Sequence, residues 1–128
     1  MIVVDASAAI SALTHVGAAR EVLVADSLHA PHLLDVEVAS GLRRLHAAGE
    51  IDAASGSFAL LTLQRLAVER YPMRGLLQRI WDLRGGVSSY DAAYVALAEA
   101  LGCPLLTADA RLSRAPGVRC PVTVVPRA

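Results

Sequence analysis

Short apolar runs alternate with longer helical patterns along the whole chain, and this alternation restricts the fold more than any other feature. The runs have the length of short buried strands, and the stretches between them carry apolar residues at helical spacing. Prolines and glycines lie at the boundaries. Strands separated by helices predict an α/β fold with a mostly parallel five-stranded sheet flanked by helices. The predicted strands are residues 2–4, 28–30, 68–71, 105–107 and 122–125, and the predicted helices are residues 6–13, 18–25, 33–48, 53–67, 73–83 and 89–101.

Four acidic residues lie at positions where a carboxylate is unfavourable unless another group interacts with it. Asp5 and Asp109 come at the ends of two predicted strands, Glu37 lies early in a predicted helix, and Asp91 lies in the first turn of another. In open α/β sheets, ligands bind at the carboxyl ends of the strands, which is also where the returning helices begin. We therefore expect the four carboxylates to meet at one edge of the sheet.

Each acid also has a simpler interpretation. Asp5 and Asp109 suit helix N-caps, Asp91 suits a helix N-terminus, and Glu37 could pair with Arg44 or be solvated. Four acids brought to one edge by the same topology are harder to explain in that way. Clustered carboxylates repel until a cation neutralises them, and hard divalent cations prefer oxygen ligands. The pattern favours a metal site.

Composition narrows the classes of protein that fit. A chain of 128 residues predicts one domain, residues 1–128, and 55% hydrophobic residues allow a sizeable core. No apolar run is long enough to span a bilayer and no signal peptide is recognisable, so we expect a cytoplasmic protein that does not enter a membrane. All twelve basic Lys and Arg positions are Arg, which excludes a Schiff-base lysine and a Walker-type phosphate loop.

The two cysteines do not form a metal-binding motif or a disulfide framework. Cys103 and Cys120 each precede a proline and then a predicted strand, at matching offsets. If those two strands are parallel neighbours, the sulfurs lie near each other on the edge opposite the acids. A disulfide is then geometrically feasible, but in the cytoplasm we expect both thiols to stay reduced.

Several segments resemble the PIN-domain ribonucleases. They are Val3-Val4-Asp5-Ala6-Ser7, the helix around Glu37, the block from Tyr90 to Ala98, and Leu106-Thr107-Ala108-Asp109. The small size and the Tyr-Asp-Ala-Ala-Tyr block are most similar to VapC-type toxins of bacterial toxin–antitoxin pairs. The resemblance covers essentially the whole chain in the family's order and spacing.

The resemblance implies a metal-dependent endoribonuclease. By this resemblance Asp5, Glu37, Asp91 and Asp109 hold Mg²⁺ or Mn²⁺, which drives hydrolysis of single-stranded or loop RNA, and Glu37 serves as a second-site ligand or orients the attacking water. Ser7 and Thr107 match hydroxyl positions beside the acids and are expected to hydrogen-bond carboxylates or phosphate, or else the backbone. The resemblance further implies a homodimer restrained by a VapB-type antitoxin.

Two other classes stay open. A ribonuclease that uses the RNA 2′-hydroxyl and a pair of histidines would need no metal. A catalytically silent PIN-like module would keep the fold and bind RNA or protein without cleaving it. The sequence does not identify the RNA, the cleavage sequence or the number of metal ions.

Overall fold

A computed structural model describes residues 1–127 as an α/β structure built on a single five-stranded sheet. Every strand pairing is parallel, and the strand order is β3-β2-β1-β4-β5. The predicted α/β class is confirmed, and the observed strand boundaries lie within one residue of the predicted ones. The strands are β1 (Ile2–Val4), β2 (Leu28–Pro31), β3 (Val68–Tyr71), β4 (Leu105–Thr107) and β5 (Val122–Val124).

Six α-helices connect the strands, and two segments differ from the predicted pattern. The predicted helix 73–83 is a 3-10 turn, Arg74–Leu76, followed by a short α-helix; Gly75, a poor helix former, lies where the first α-helical turn was predicted. A second 3-10 helix, Ala110–Arg114, was not predicted. The α-helices are α1 (Ala6–Thr14), α2 (Ala18–Ala25), α3 (Leu33–Ala47), α4 (Ala53–Arg65), α5 (Leu77–Asp82) and α6 (Ser89–Leu101).

Helix α6 is the central helix of the fold. Its residues from Ala92 to Ala98 are all buried, and most of them are small. Small side chains let the helix lie close to β1 and β2, and a helix that is apolar all round is stable only in such a buried position. Ser88 caps its N-terminus by accepting a hydrogen bond from the Asp91 amide, which fixes where the helix begins.

The strand order places β1 at the point where the chain reverses direction across the sheet. β1 pairs with β2 on one side and with β4 on the other, and Val4 lies opposite Leu106. The amide of Asp5 donates to the carbonyl of Leu106 at 3.0 Å, so the ladder continues one residue beyond β1. This switch point is where open α/β sheets place their ligand sites.

The predicted adjacency of the last two strands is confirmed. β4 pairs with β5 in a register that sets Leu105 opposite Val122, so the two cysteines precede paired residues at equal offsets. Both are free thiols. Burial raises the pKa of Cys120 to about 11, which keeps it protonated and unreactive at neutral pH.

Within residues 1–127, no single helix is long and apolar enough to cross a membrane. Helices α1 and α2 together reach the required length and apolar composition, but they are bent by 105° relative to each other.

The loop before α6 supplies a test of how tightly this part of the fold is packed. A Cβ on Gly86 would lie 2.6 Å from the backbone carbonyl oxygen of Pro116, whereas a Cβ on the preceding Gly85 would meet nothing within 4 Å. Neither glycine has a positive φ. We therefore expect Gly86→Ala to lower the free energy of unfolding by about 1–3 kcal/mol, because backbone must move to admit the methyl group.

Gly85→Ala is the matched control, and it should be neutral or stabilising by up to about 1 kcal/mol because it only restricts the unfolded chain. Urea unfolding of both variants measures the difference. Equal stability of the two variants would contradict the close approach of Gly86 to Pro116.

Candidate functional site

The four predicted acids line one cavity at the carboxyl edge of the sheet. Asp5 follows β1, Glu37 lies in α3, Asp91 lies in the first turn of α6, and Asp109 follows β4. Four elements that are distant in sequence therefore each contribute one carboxylate. The cavity has a volume of about 710 Å³.

Asp5 is the most deeply buried of the four acids, with 4% of its surface exposed. Its Oδ1 accepts hydrogen bonds from the Ser7 hydroxyl at 2.6 Å and the Ala8 amide at 2.9 Å, and its Oδ2 accepts from the Thr107 hydroxyl. Burial nevertheless raises the pKa of Asp5, since these donors offset only part of the desolvation. Asp5 is thus both the N-cap of α1 and a charged group that gains from a nearby cation.

Ser7 and Thr107 connect the ends of β1 and β4 through this carboxylate. The Ser7 Oγ accepts from the Ala108 amide at 2.8 Å, and the Thr107 Oγ1 accepts from the Asp109 amide at 3.0 Å. Each hydroxyl therefore bonds both a carboxylate and the backbone, so the two interpretations of the sequence are compatible. Their effect is to hold the backbone of Asp109 in a fixed relation to Asp5.

Glu37 is held by a residue that the sequence did not single out. The Tyr94 hydroxyl donates to Glu37 Oε1 at 2.6 Å, and the Tyr94 side chain is buried within α6. Burial, followed by the hydrogen bond to Glu37, raises the pKa of Tyr94, which keeps its proton on the hydroxyl. Tyr94 follows Asp91 by three residues and so lies on the same face of the helix. This spacing was the signal in the sequence that could have placed Tyr94 at the site. Arg44, the partner considered from the sequence, instead donates to Ser40.

Three of the four acids have raised pKa values. Burial is the main cause for Asp5, Glu37 and Asp91, and neighbouring carboxylates add to it. The charge of Asp91 raises the pKa of Asp5 and of Glu37, and the charge of Asp109 raises that of Asp91. Mutual repulsion of this kind shows that the carboxylates act on one another and that the site favours a positive charge.

Asp109 differs from the other three acids because an arginine pairs with it. The Arg111 guanidinium contacts both carboxylate oxygens, at 3.0 Å and 2.8 Å, and the Arg111 amide donates to Oδ1 at 3.0 Å. These hydrogen bonds lower the pKa of Asp109. Asp109 also caps the 3-10 helix Ala110–Arg114, as one interpretation of the sequence suggested.

Basic and apolar side chains complete the cavity wall. Arg44 and Arg127 line the cavity together with the acids. His15 lines the cavity, but no second histidine does so among residues 1–127. This arrangement gives no support to a histidine-pair mechanism. The larger apolar side chains of the lining are Ile10, Leu45 and Ile51.

The donor chemistry of the site fits a hard divalent cation. All four acidic donors present oxygen, and burial followed by the charge of neighbouring carboxylates raises the pKa of Asp5, Glu37 and Asp91. Among residues 1–127, however, no three acidic, histidine or cysteine side chains are already gathered as ligands of one ion. Protein donors hold them instead: hydroxyls hold Asp5, Tyr94 holds Glu37, and Arg111 holds Asp109. A cation would have to compete with these partners.

Comparisons with known proteins agree with the site. The PIN-domain family profile matches residues 2–118. The chain is 59% identical to ribonuclease VapC9 of Mycobacterium tuberculosis over 127 residues, which cover 99% of this chain and all of that protein.

Two solved structures share the fold. The structure of PAE2754 from Pyrobaculum aerophilum has a TM-score of 0.72 at 25% identity and covers 94% of this chain and 81% of that one. VapC20 of Mycobacterium tuberculosis, described as a sarcin-ricin loop cleaving toxin, has a TM-score of 0.66 at 16% identity and covers 93% of this chain and 97% of that one. With its sequence profile, its relatives and its acid-lined sheet edge in agreement, the chain belongs to the PIN-domain family.

Proposed function

We propose that this chain is a Mg²⁺- or Mn²⁺-dependent endoribonuclease that serves as the toxin of a toxin–antitoxin pair. The single observation that carries the proposal is the convergence of Asp5, Glu37, Asp91 and Asp109 on one cavity. The identity of 59% with a protein named ribonuclease VapC9 supports ribonuclease activity on the same fold. Cellular RNA would be the substrate, and the cytoplasm the place of action.

The residues have distinct roles in the proposed hydrolysis. Asp5, Asp91 and Asp109 would hold the cation, which when bound offsets phosphate charge and acidifies a water. Glu37, kept in place by Tyr94, would hold a second cation or accept a proton from the attacking water. Water adds to phosphorus as the bond to the 3′-oxygen breaks, which leaves a 5′-phosphate and a 3′-hydroxyl. Ser7 and Thr107 would fix the Asp5 carboxylate throughout.

Removal of one acidic charge tests this proposal. We expect Asp5→Asn to lower RNA cleavage by at least about 10²-fold, because loss of one charge-stabilising group in a preorganised site costs a few kcal/mol. Cleavage of single-stranded RNA is measured with Mg²⁺, with Mn²⁺ and with excess chelator. Wild-type activity in chelator would exclude the metal-dependent mechanism.

Asp52→Asn is the matched control for loss of helix capping. Asp52 caps α4 through the Ser55 amide just as Asp5 caps α1, but it lies outside the acid cavity. Asparagine caps helices about as well as aspartate, so neither substitution should unfold the protein. Only Asp5→Asn should lose cleavage, and an equal loss in both variants would attribute the effect to the helix termini.

The raised pKa of Asp91 predicts a pH-dependent stability without metal. Because the folded protein raises this pKa above its ordinary value of 3.8, the ionised form destabilises the fold at neutral pH. The penalty is complete above the raised pKa and disappears as the pH falls through it towards 3.8. Asp91→Asn should therefore have a higher Tm than wild type at neutral pH in chelator, and the gap should close on acidification.

Asp52→Asn should change the Tm in the opposite direction in the same measurement. The pKa of Asp52 is lowered by its hydrogen bonds to Ser55, so its ionised form stabilises the fold at neutral pH. Thermal unfolding should show Asp52→Asn below wild type at neutral pH, with this gap also closing on acidification. A Tm gap for Asp91→Asn that is independent of pH would contradict the raised pKa that burial and, after it, the charge of Asp109 give Asp91.

An antitoxin would use the apolar side chains of the same cavity. Ile51 lines both this cavity and a second one, of about 550 Å³, that includes Leu13 and the exposed Phe58. An amphipathic partner helix could lay its apolar face here and direct a basic side chain to the carboxylates. The helical segments 36–45 and 58–66 carry apolar residues for such a groove; of these, Val36 and Phe58 are exposed, whereas Leu42 and Leu63 belong to the core.

We expect the C-terminal segment of the antitoxin encoded beside this protein to inhibit cleavage by itself. Replacement of its arginines by glutamine should weaken inhibition, because the charge that pairs with the carboxylates is lost. Inhibition constants are compared for both peptides on wild type and on Phe58→Ser. Equal inhibition by both peptides would reject the arginine contact, and equal inhibition of both proteins would reject the groove.

A homodimer is the assembly proposed for the free toxin. The short helix α5 presents two large apolar side chains, Leu77 and Trp81, that are 58% and 62% exposed. They are one helical turn apart and so lie on the same face of α5. Arg84 stacks on the Trp81 ring at 4.5 Å, which keeps this surface ordered. A second copy of the chain would bury these side chains.

A further inference from the structure

Arg111 contacts both oxygens of Asp109, one of the three carboxylates proposed to hold the cation. Its Nε donates to Asp109 Oδ1 at 3.0 Å and its Nη2 donates to Oδ2 at 2.8 Å. The Asp109 side chain is only 17% exposed, whereas the Arg111 side chain is 83% exposed. The acid is therefore fixed in the site, and the arginine lies over it from the solvent side.

This pairing distinguishes Asp109 from its three partners. Hydroxyl and amide groups hold Asp5 and a phenol holds Glu37, so those contacts add no positive charge. Arg44 and Arg127 also line the cavity, but Arg44 donates to Ser40, and the structure gives neither of them a salt bridge within residues 1–127. Arg111 is thus the one cation paired directly with an acid of the site in this part of the chain.

A divalent cation and Arg111 would compete for the carboxylate of Asp109. Its Oδ1 already accepts from both the amide and the Nε of Arg111, so a cation that binds both oxygens has to displace one of these contacts. A cation on Oδ2 alone would lie against the Nη2 of Arg111 and be repelled by the guanidinium charge. An ion pair with an exposed arginine is weak, so the displacement is cheap. This competition is consistent with the absence of three gathered ligands among residues 1–127.

The released guanidinium would stand at the rim of a phosphate-binding site. Arg111 follows Asp109 by two residues on the 3-10 helix Ala110–Arg114, so its side chain stays within reach of whatever Asp109 binds. The planar fork of arginine matches two phosphate oxygens as well as it matches a carboxylate. The chain has no lysine, so arginine is the side chain available for this contact.

We infer that Arg111 is an exchangeable counter-ion: it pairs with Asp109 in the metal-free protein and transfers to an RNA phosphate when a divalent cation takes its place. This inference rests on the proposed metal-dependent cleavage. It adds that the metal affinity of the same site is regulated by Arg111. Arg111 restrains metal binding in the absence of RNA and promotes binding or turnover of RNA once metal is present.

Metal binding in the absence of RNA tests the first part of this inference, that Arg111 restrains metal binding. Titration of the metal-free protein with Mn²⁺, followed by the electron paramagnetic resonance of the free ion, should show about 2- to 5-fold tighter binding to Arg111→Ala, as expected for loss of one exposed ion pair. Arg111→Lys keeps the charge without the fork and should lie between Arg111→Ala and wild type.

Arg114→Ala is the matched control. Arg114 is exposed on the same 3-10 helix and forms no salt bridge within residues 1–127. It should leave Mn²⁺ affinity unchanged. Identical Mn²⁺ affinity for wild type and Arg111→Ala would overturn the exchange, whereas failure of wild type to bind Mn²⁺ at all would defeat the proposed function itself.

RNA cleavage at saturating Mn²⁺ tests the second part of this inference, that Arg111 contacts an RNA phosphate. There the competition is removed, so Arg111→Ala should lower kcat/KM by about 10-fold through the lost phosphate contact, while Arg114→Ala should not. Tighter Mn²⁺ binding together with lower kcat/KM supports the transfer. Unchanged kcat/KM in Arg111→Ala would overturn the phosphate contact.

Discussion

The hydrogen bonds that hold the buried carboxylate of Asp5 are the interaction on which the rest of the site depends. A buried charge is costly unless its oxygens are hydrogen-bonded, and Ser7, Ala8 and Thr107 supply the donors. Ser7 and Ala8 belong to the first turn of α1, and Thr107 ends β4, so the hydrogen bonds of this carboxylate join the start of α1 to the end of β4. The same hydroxyls bond the amides of Ala108 and Asp109. The position of Asp109 is therefore a consequence of how Asp5 is satisfied.

The fold brings like charges together, and several contacts limit the energetic cost of their repulsion. Hydroxyl groups stabilise Asp5 and Glu37 without adding charge, whereas Arg111 neutralises Asp109. Burial, and after it the repulsion that remains between the carboxylates, raises the pKa of Asp5, Glu37 and Asp91. Such a site gains from any cation that enters it, whether a metal ion or a side chain of a partner protein. The proposed catalysis and the proposed inhibition would both depend on this attraction of the site for positive charge.

Helix α6 shows how core packing sets the geometry of the acids. Its run of small buried residues lets the helix lie close to the sheet, which carries Asp91 to the sheet edge and places the Tyr94 hydroxyl against Glu37 on α3. Gly86 allows the preceding loop to approach Pro116 and so directs the chain into the Ser88 cap. Residues that are not acidic themselves thus determine the positions of the acidic side chains.

The sequence by itself determined the α/β class, the five strands and the edge of the sheet at which the acids lie. It could do so because apolar runs of strand length and helical periodicity are local patterns, and because parallel topology sends the ends of all strands to one side. Residues 73–83 were the exception, since Gly75 weakens the helix where the periodicity continues. Only the tertiary structure decided which donor satisfies which acid. The contacts of Tyr94 with Glu37 and of Thr107 with Asp5 depend on distances across elements that are far apart in the sequence. Arg111 is only two residues from Asp109, but the direction of its side chain in the 3-10 helix is set by the three-dimensional structure.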